Sequence, residues 1–169
     1  GILICHHKES LTAMLEESHS LLDKSKTEGD RNAVAVELRK RSGGARYFVS
    51  KWEDDNKRFE IFKDIGGKIG DKSIQEVSRS LVYRLNAFQD GFEAMLNQPN
   101  KVDLVTKFVA KQLDRSGVGN KSKEEKEQIA SDIAKLGIIK IKDESGKEKE
   151  MFNPETLIIA GFIADKGGK

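Results

Sequence analysis

The sequence predicts an α+β protein, in which a short α/β segment is followed by a longer helical segment. Near the start, Val34, Val36 and Leu38 alternate with smaller or polar residues, as in a half-buried strand. Beyond Trp52, apolar residues instead recur at helical intervals. We therefore expect an α/β domain over residues 1–52 and a helical domain over residues 53–169.

The first segment predicts the order strand, helix, strand, hairpin. The apolar run 1–5 predicts a strand. After it, small or apolar residues recur at helical intervals, which predicts a helix: Leu11, Met14, Leu15, Ser18, Leu21 and Leu22. A basic turn over 26–32 leads into a strand over 32–41, which the glycine-containing loop 42–45 joins to a strand over 46–50. Because an unpaired apolar strand at a terminus favours aggregation, we expect a longer parent protein to supply its neighbours.

The second segment predicts a series of helices. One covers residues 56–65 and stops at Gly66 and Gly67. Ser73 caps a long second helix that ends before Pro99. Its apolar stripe is Ile74, Val77, Leu81, Leu85, Phe88, Phe92 and Met95. Further helices cover residues 102–113 and 123–136.

The C-terminal region combines an ambiguous stretch with a well-defined helix start. Residues 138–151 fit either a hairpin, since 139–142 alternate like a strand, or a charged loop. Asn153 and Pro154 then suit the cap and first position of a last helix.

Composition excludes several classes of protein. The chain has 169 residues, with 30 Lys and Arg against 28 Asp and Glu, so any nucleic-acid contact must come from local patches. A lone cysteine, Cys5, excludes an internal disulfide and a cysteine-based zinc site and fits a reducing, cytoplasmic location. No apolar run approaches the roughly 20 residues of a membrane-spanning helix, so we expect no membrane contact.

The sequence around the basic turn resembles that of a known family. Polymerase-like palms of the GGDEF type have a strand, then a helix ending in Ala-Lys-x-x-Gly-Arg-Asn, then another strand. Lys26, Gly29, Arg31 and Asn32 stand in that order here, with Asp30 inserted. The stretches GILICHHKESL, GDRNAVAVELRKRSGG and PETLIIAGFIADKGG further resemble the large subunit of type III CRISPR effector complexes, Cmr-type (III-B) branch.

This resemblance implies a fold and a function. Residues 1–52 would be the C-terminal part of a ferredoxin-like palm, and residues 53–169 a helical bundle that docks the small helical subunit. The parent would belong to an RNA-guided antiviral complex, with guide RNA and target RNA as partners. Its palm pair would make cyclic oligoadenylates from ATP. Two Mg²⁺ or Mn²⁺ ions would be bound by a Gly-Gly-Asp-Asp turn upstream of Gly1. The 169 residues contain no Gly-Gly-Asp-Asp sequence, so this chain alone would be inactive.

The candidate site residues are all cationic. The resemblance implies that Lys26 and Arg31 contact the nucleotide triphosphate, and two cations at one corner suit phosphate oxygens. A lysine near a helix C-terminus is equally typical of an ordinary surface. The predicted hairpin tip adds candidates for RNA backbone contact, which are Arg39, Lys40, Arg41 and Arg46.

Other motifs are set aside. The stretch 66–73 lacks the glycine that a phosphate loop needs before Lys-Ser, because Asp71 stands there. His6 and His7 are adjacent and face opposite ways in an extended chain, which favours a structural role over metal binding.

Two alternatives stay open. One is a non-catalytic module that binds protein or RNA. The other is a degenerate diguanylate-cyclase-like domain that binds guanine nucleotides.

Overall fold

The computed structural model describes residues 1–40, 44–54, 56–70, 77–116, 121–142 and 147–167. The chain is α+β and divides into two compact units, Gly1–Glu60 and Ile61–Lys169. The described residues form seven helices and five strands.

The first unit contains a mixed three-stranded sheet and one covering helix. Strand β1 (Ile2–Ile4) leads through helix α1 (Leu11–Thr27) to β2 (Ala33–Arg39), and β3 (Ala45–Lys51) follows. Strand β1 runs parallel to β2, while β3 pairs antiparallel on the other side of β2. This order of elements agrees with the sequence prediction, although β2 is shorter than predicted.

Strand β2 is the centre of this unit because it is buried on both faces. Val34, Val36 and Leu38 lie on one face, while Ala35 and Glu37 lie on the other. Helix α1 covers the second face.

The helix itself buries less of its apolar stripe than its spacing suggests. Ser10 caps the helix by accepting a hydrogen bond from the Ala13 amide, and Leu21 is fully buried. Leu11, Leu15 and Leu22 are exposed.

The first helix after the sheet extends beyond its predicted end. Helix α2 covers Arg58–Gly70, so Gly66 and Gly67 lie inside it and the predicted stop was wrong. A side chain at Gly66 would come within 3.1 Å of the Ala160 carbonyl oxygen. This glycine therefore permits close helix packing, which offsets its poor helix propensity of about 1 kcal/mol relative to alanine.

The predicted long helix is divided in the structure. Ser78 caps α3 (Arg79–Asn86), and α4 (Gln89–Leu96) follows after a break at 87–88. The Phe88 ring occupies the space beside Gly91 and stacks on Phe108 at 4.3 Å between centroids. This tertiary contact favours a break in the helix, although the apolar stripe alone predicts one continuous helix. The predicted cap, Ser73, lies outside the described residues.

The remaining elements follow the sequence closely. Helices α5 (Lys101–Arg115) and α6 (Lys123–Gly137) pack together, and Ser122 and Glu125 form a capping box that begins α6. The ambiguous region is a hairpin of β4 (Ile138–Lys142) and β5 (Glu148–Phe152), whose connection lies outside the described residues.

The last helix begins where its sequence predicts. Helix α7 covers Glu155–Gly167, and Asn153 Oδ1 accepts a hydrogen bond from the Glu155 amide at its start. In the second unit, Phe92 stacks on Phe152 and meets Phe108 edge-on, and Phe92 and Phe152 are both buried.

Candidate functional site

The basic turn between α1 and β2 is built on a close approach of helix and strand. Gly29 is buried, and a Cβ there would lie 2.0 Å from the Ala33 Cβ and 2.7 Å from the Ser25 carbonyl oxygen. Only glycine fits such a corner. The Asn32 amide closes the turn by donating to the Gly29 carbonyl oxygen at 3.2 Å.

Two successive residues of this turn adopt the left-handed backbone conformation. Asp30 has a φ of 58° and Arg31 a φ of 61°. Aspartate tolerates this region, whereas arginine adopts it uncommonly. Such a conformation persists only where the surroundings hold it, and it occurs often at functional sites. The turn thus holds Arg31 in a backbone conformation that is unfavourable for arginine.

Lys26 and Arg31 both lie on the surface of this turn. Lys26 belongs to the last turn of α1, where its Nζ lies 3.2 Å from Asp23 Oδ1 and its side chain is 46% exposed. An exposed pair of this kind stabilises by less than about 1 kcal/mol, so a stronger anion can displace Asp23. Arg31 is exposed and makes no hydrogen bond or ion pair within the part of the chain that the structure describes.

Nearby charges modify the electrostatics of the turn. Partial burial raises the pKa of the Glu28 carboxyl, and the charge of Lys24 opposes that shift. Lys51 Nζ lies 3.4 Å from Asp30 Oδ2. Because the carbonyl end of a helix dipole repels anions, Lys26, Arg31 and Lys51 must supply the attraction for any phosphate bound here.

The hairpin cations do not form one patch. Arg39 pairs with Glu17 of α1 at 2.6 Å and with the buried Glu37 of its own strand. Arg46 lies opposite Leu38 in the β2–β3 register, so Arg39 and Arg46 belong to opposite faces of the sheet. Lys40 follows β2, and Arg41 lies outside the described residues.

One aromatic residue lies beside the turn through backbone pairing alone. The Trp52 amide donates to the Asn32 carbonyl oxygen at 3.0 Å, which places Trp52 directly next to the turn. Its side chain is 47% exposed. The sequence does indicate this position indirectly. In an antiparallel hairpin the end of β3 lies beside the start of β2, so the residue after Lys51 is expected next to the turn.

A concave region lies between α5 and α6. It encloses about 470 Å³, and its lysines largely face carboxylates on the same two helices. Lys107 pairs with Asp103 at 2.7 Å, and Lys126 pairs with Asp114 at 2.8 Å. This groove therefore presents little unbalanced charge.

The described residues hold no cluster of three or more histidine, cysteine or acidic side chains that could bind a metal ion. The His6 and His7 rings lie 4.3 Å apart, and His6 Nδ1 accepts from the Lys8 amide. Among the same residues, no helix is long and apolar enough to cross a membrane.

Comparison with known proteins finds no matching family model, no matching curated protein and no matching solved structure.

Proposed function

We propose that this chain is the C-terminal part of the large subunit of a type III, Cmr-type CRISPR effector complex. Its first unit would complete a ferredoxin-like palm, and the turn between α1 and β2 would contact the triphosphate of ATP. The observation that carries this proposal is the turn itself. There, Lys26 and Arg31 flank Gly29, where a Cβ would lie 2.0 Å from the Ala33 Cβ, in the connection between the parallel strands β1 and β2.

The chemistry of the turn suits a triphosphate. Phosphate oxygens take charge-assisted hydrogen bonds from both an ammonium and a guanidinium, and the guanidinium offers several donors in one plane. Lys26 exchanges its exposed partner Asp23 for phosphate, while Arg31 needs no such exchange. Mg²⁺ or Mn²⁺, held by upstream residues, would steady the triphosphate of the bound ATP and activate the 3′-hydroxyl of a second nucleotide, which would attack the α-phosphorus and release pyrophosphate.

In the same proposal, the second unit is a scaffold. Its helices pack as a bundle and would dock the small helical subunit and line the path of guide RNA and target RNA. The hairpin residues Lys40, Arg41 and Arg46 would add backbone contacts to RNA. The complex would act in the cytoplasm.

The test uses the complex assembled around the full-length parent. We expect guide RNA and the small subunit to copurify with it, and target RNA to start synthesis of cyclic oligoadenylates from ATP. Lys26→Ala should lower that synthesis about tenfold at limiting ATP, because a charged hydrogen bond contributes about 1.5–3 kcal/mol. Lys107→Ala is the matched control, since Lys107 is also an exposed lysine paired with an aspartate on its own helix.

Three outcomes would overturn parts of this proposal. Undiminished synthesis by both Lys26→Ala and Arg31→Ala complexes would remove the turn from triphosphate binding. Absence of guide RNA and of the small subunit from the purified protein would reject the CRISPR assignment and favour a protein-binding or RNA-binding module. Tighter binding of GTP than of ATP would favour the diguanylate-cyclase-like alternative.

A further inference from the structure

We infer that the surface around the stacked rings of Phe88 and Phe108 binds an acidic protein segment, which lays an apolar side chain against these rings. The inference rests on the proposed scaffold role of the second unit, and it adds the surface and the chemistry of the partner. It does not involve the turn at Lys26.

Three phenylalanines build the aromatic part of this surface. Phe88, at the break between α3 and α4, stacks on Phe108 of α5 with the ring centroids 4.3 Å apart. Both rings meet the buried Phe92 edge-on, at 5.7 and 5.4 Å between centroids. Phe88 nevertheless remains 39% exposed. An aromatic ring that is held in place and partly open to solvent is a typical anchor point of protein interfaces.

Three cations lie beside the stacked rings. Arg84 Nη2 donates to the Gln112 carbonyl oxygen at 3.3 Å, so the end of α3 lies along the second half of α5. Gln112 is about one turn beyond Phe108. Lys111 and Arg115 follow Phe108 by three and seven residues, about one and two turns, which puts them on the same side of α5 as its ring.

These cations differ from their neighbours because no carboxylate neutralises them. Arg84, Lys111 and Arg115 are exposed, and none of them forms an ion pair within the part of the chain that the structure describes. Lys107 and Lys126, on the same pair of helices as Lys111, each pair with an aspartate. A carboxylate of a partner therefore binds the three cations without displacing another, and the arginines can bind it through two parallel hydrogen bonds.

The charge pattern favours a protein segment over RNA. Asp90 is exposed in the first turn of α4, two residues after Phe88. Single-stranded RNA carries a phosphate at every nucleotide, so it would bring negative charge close to Asp90. A protein segment carries carboxylates only at some positions and can present an uncharged residue there. Phe88 and Phe108 also cover one face of each other, which leaves fewer faces for bases.

A random peptide library displayed on phage tests this inference, with the 169-residue chain as bait. Depletion of the library on the Phe88→Ala chain leaves peptides that need the aromatic surface. We expect these peptides to combine aspartate or glutamate with a phenylalanine, leucine or tryptophan. Their binding should survive Val102→Ala, which shortens another exposed apolar side chain of α5.

The charges are tested with variants that change only exposed side chains. A selected peptide is synthesised with a fluorescent label, and its affinity is measured by anisotropy. Lys111→Gln combined with Arg115→Gln should weaken its binding about fivefold, because each exposed ion pair contributes modestly. Lys135→Gln is the matched control and should leave the affinity unchanged. Lys135 is also exposed and lies in the last turn of α6, whereas the start of α6 contacts the end of α5 through Lys126 and Asp114.

The outcomes separate this inference from the proposal beneath it. If no peptide survives the depletion, or if the survivors bind the doubly substituted chain as tightly as the unsubstituted one, the surface does not bind acidic segments. Loss of oligouridine binding in the doubly substituted chain, with no acidic peptide selected, would make the surface an RNA contact instead. Acidic peptides that bind here, in a protein whose parent copurifies with neither guide RNA nor a small subunit, would uphold the surface and reject only the CRISPR assignment.

Discussion

At the residue scale, the cations of the first unit differ in what holds them. Arg39 lies between two carboxylates, and one of these, Glu37, is only 2% exposed. A buried carboxylate that loses its cation is destabilised strongly. Because Arg39 itself is partly exposed, we expect Arg39→Ala to lower the free energy of unfolding by about 2 kcal/mol, measured by urea denaturation.

The control for this prediction is a double-mutant cycle. Glu37→Gln removes the charge that Arg39 neutralises, so Arg39→Ala should cost less in that background than alone. Equal costs in the two backgrounds would contradict the pairing. A variant with unchanged stability but weaker RNA binding would instead make Arg39 the RNA contact that its sequence position suggests.

At the element scale, two glycines differ in whether the structure has room for a side chain. Gly29 lies where α1 meets β2, and a methyl group there would overlap Ala33. Gly67 lies on the exposed side of α2, with open space around its Cβ position. We expect Gly29→Ala to destabilise by about 2 kcal/mol through overpacking, and Gly67→Ala to stabilise by about 0.5–1 kcal/mol.

Thermal unfolding followed by circular dichroism checks both glycine variants side by side. The pair controls itself, because the chemical change is identical and only the environment differs. Stabilisation by Gly29→Ala would mean that helix and strand separate at this corner, which would remove the structural basis of the turn.

The same elements show what sequence patterns can predict. Alternation at Val34, Val36 and Leu38 was sufficient to predict a strand, although the alternation predicted burial of one face and the structure also buries Ala35 and Glu37 on the other. The end predicted at Gly66 and Gly67 was wrong because the packing of Gly66 against Ala160 joins residues far apart in sequence. Local patterns carry no information about such contacts.

The candidate site divides in a similar way. Lys26 and Arg31 could be proposed from the sequence because they belong to one short turn, whose spacing can be compared with a known pattern. The position of Trp52 beside the turn could not be predicted, because Trp52 reaches the turn only through the β2–β3 register. The break between α3 and α4 at Phe88 likewise depends on a distant contact, the stacking of Phe88 on Phe108.

At the scale of the whole molecule, the charges nearly cancel and are also paired locally. The formal net charge is +2. Many of the lysines and arginines that the structure describes already contact a carboxylate, including Lys26, Arg39, Lys51, Lys107 and Lys126. Each phosphate contact by such a residue must displace that carboxylate, which reduces the free energy gained from the contact. A long RNA track on this chain alone is therefore unfavourable.

The salt dependence of RNA affinity measures how many phosphate contacts the chain makes. For single-stranded RNA, the slope of log K against log salt is about −0.7 for each phosphate contact. With two or three contacts at the turn and hairpin, we expect a slope near −2 for an oligouridine, measured by fluorescence anisotropy between about 50 and 200 mM salt. A slope of −4 or steeper would require about six contacts and hence a continuous basic surface. That result would favour an RNA-binding module over a nucleotide-binding palm, because a triphosphate engages only the few cations of one turn.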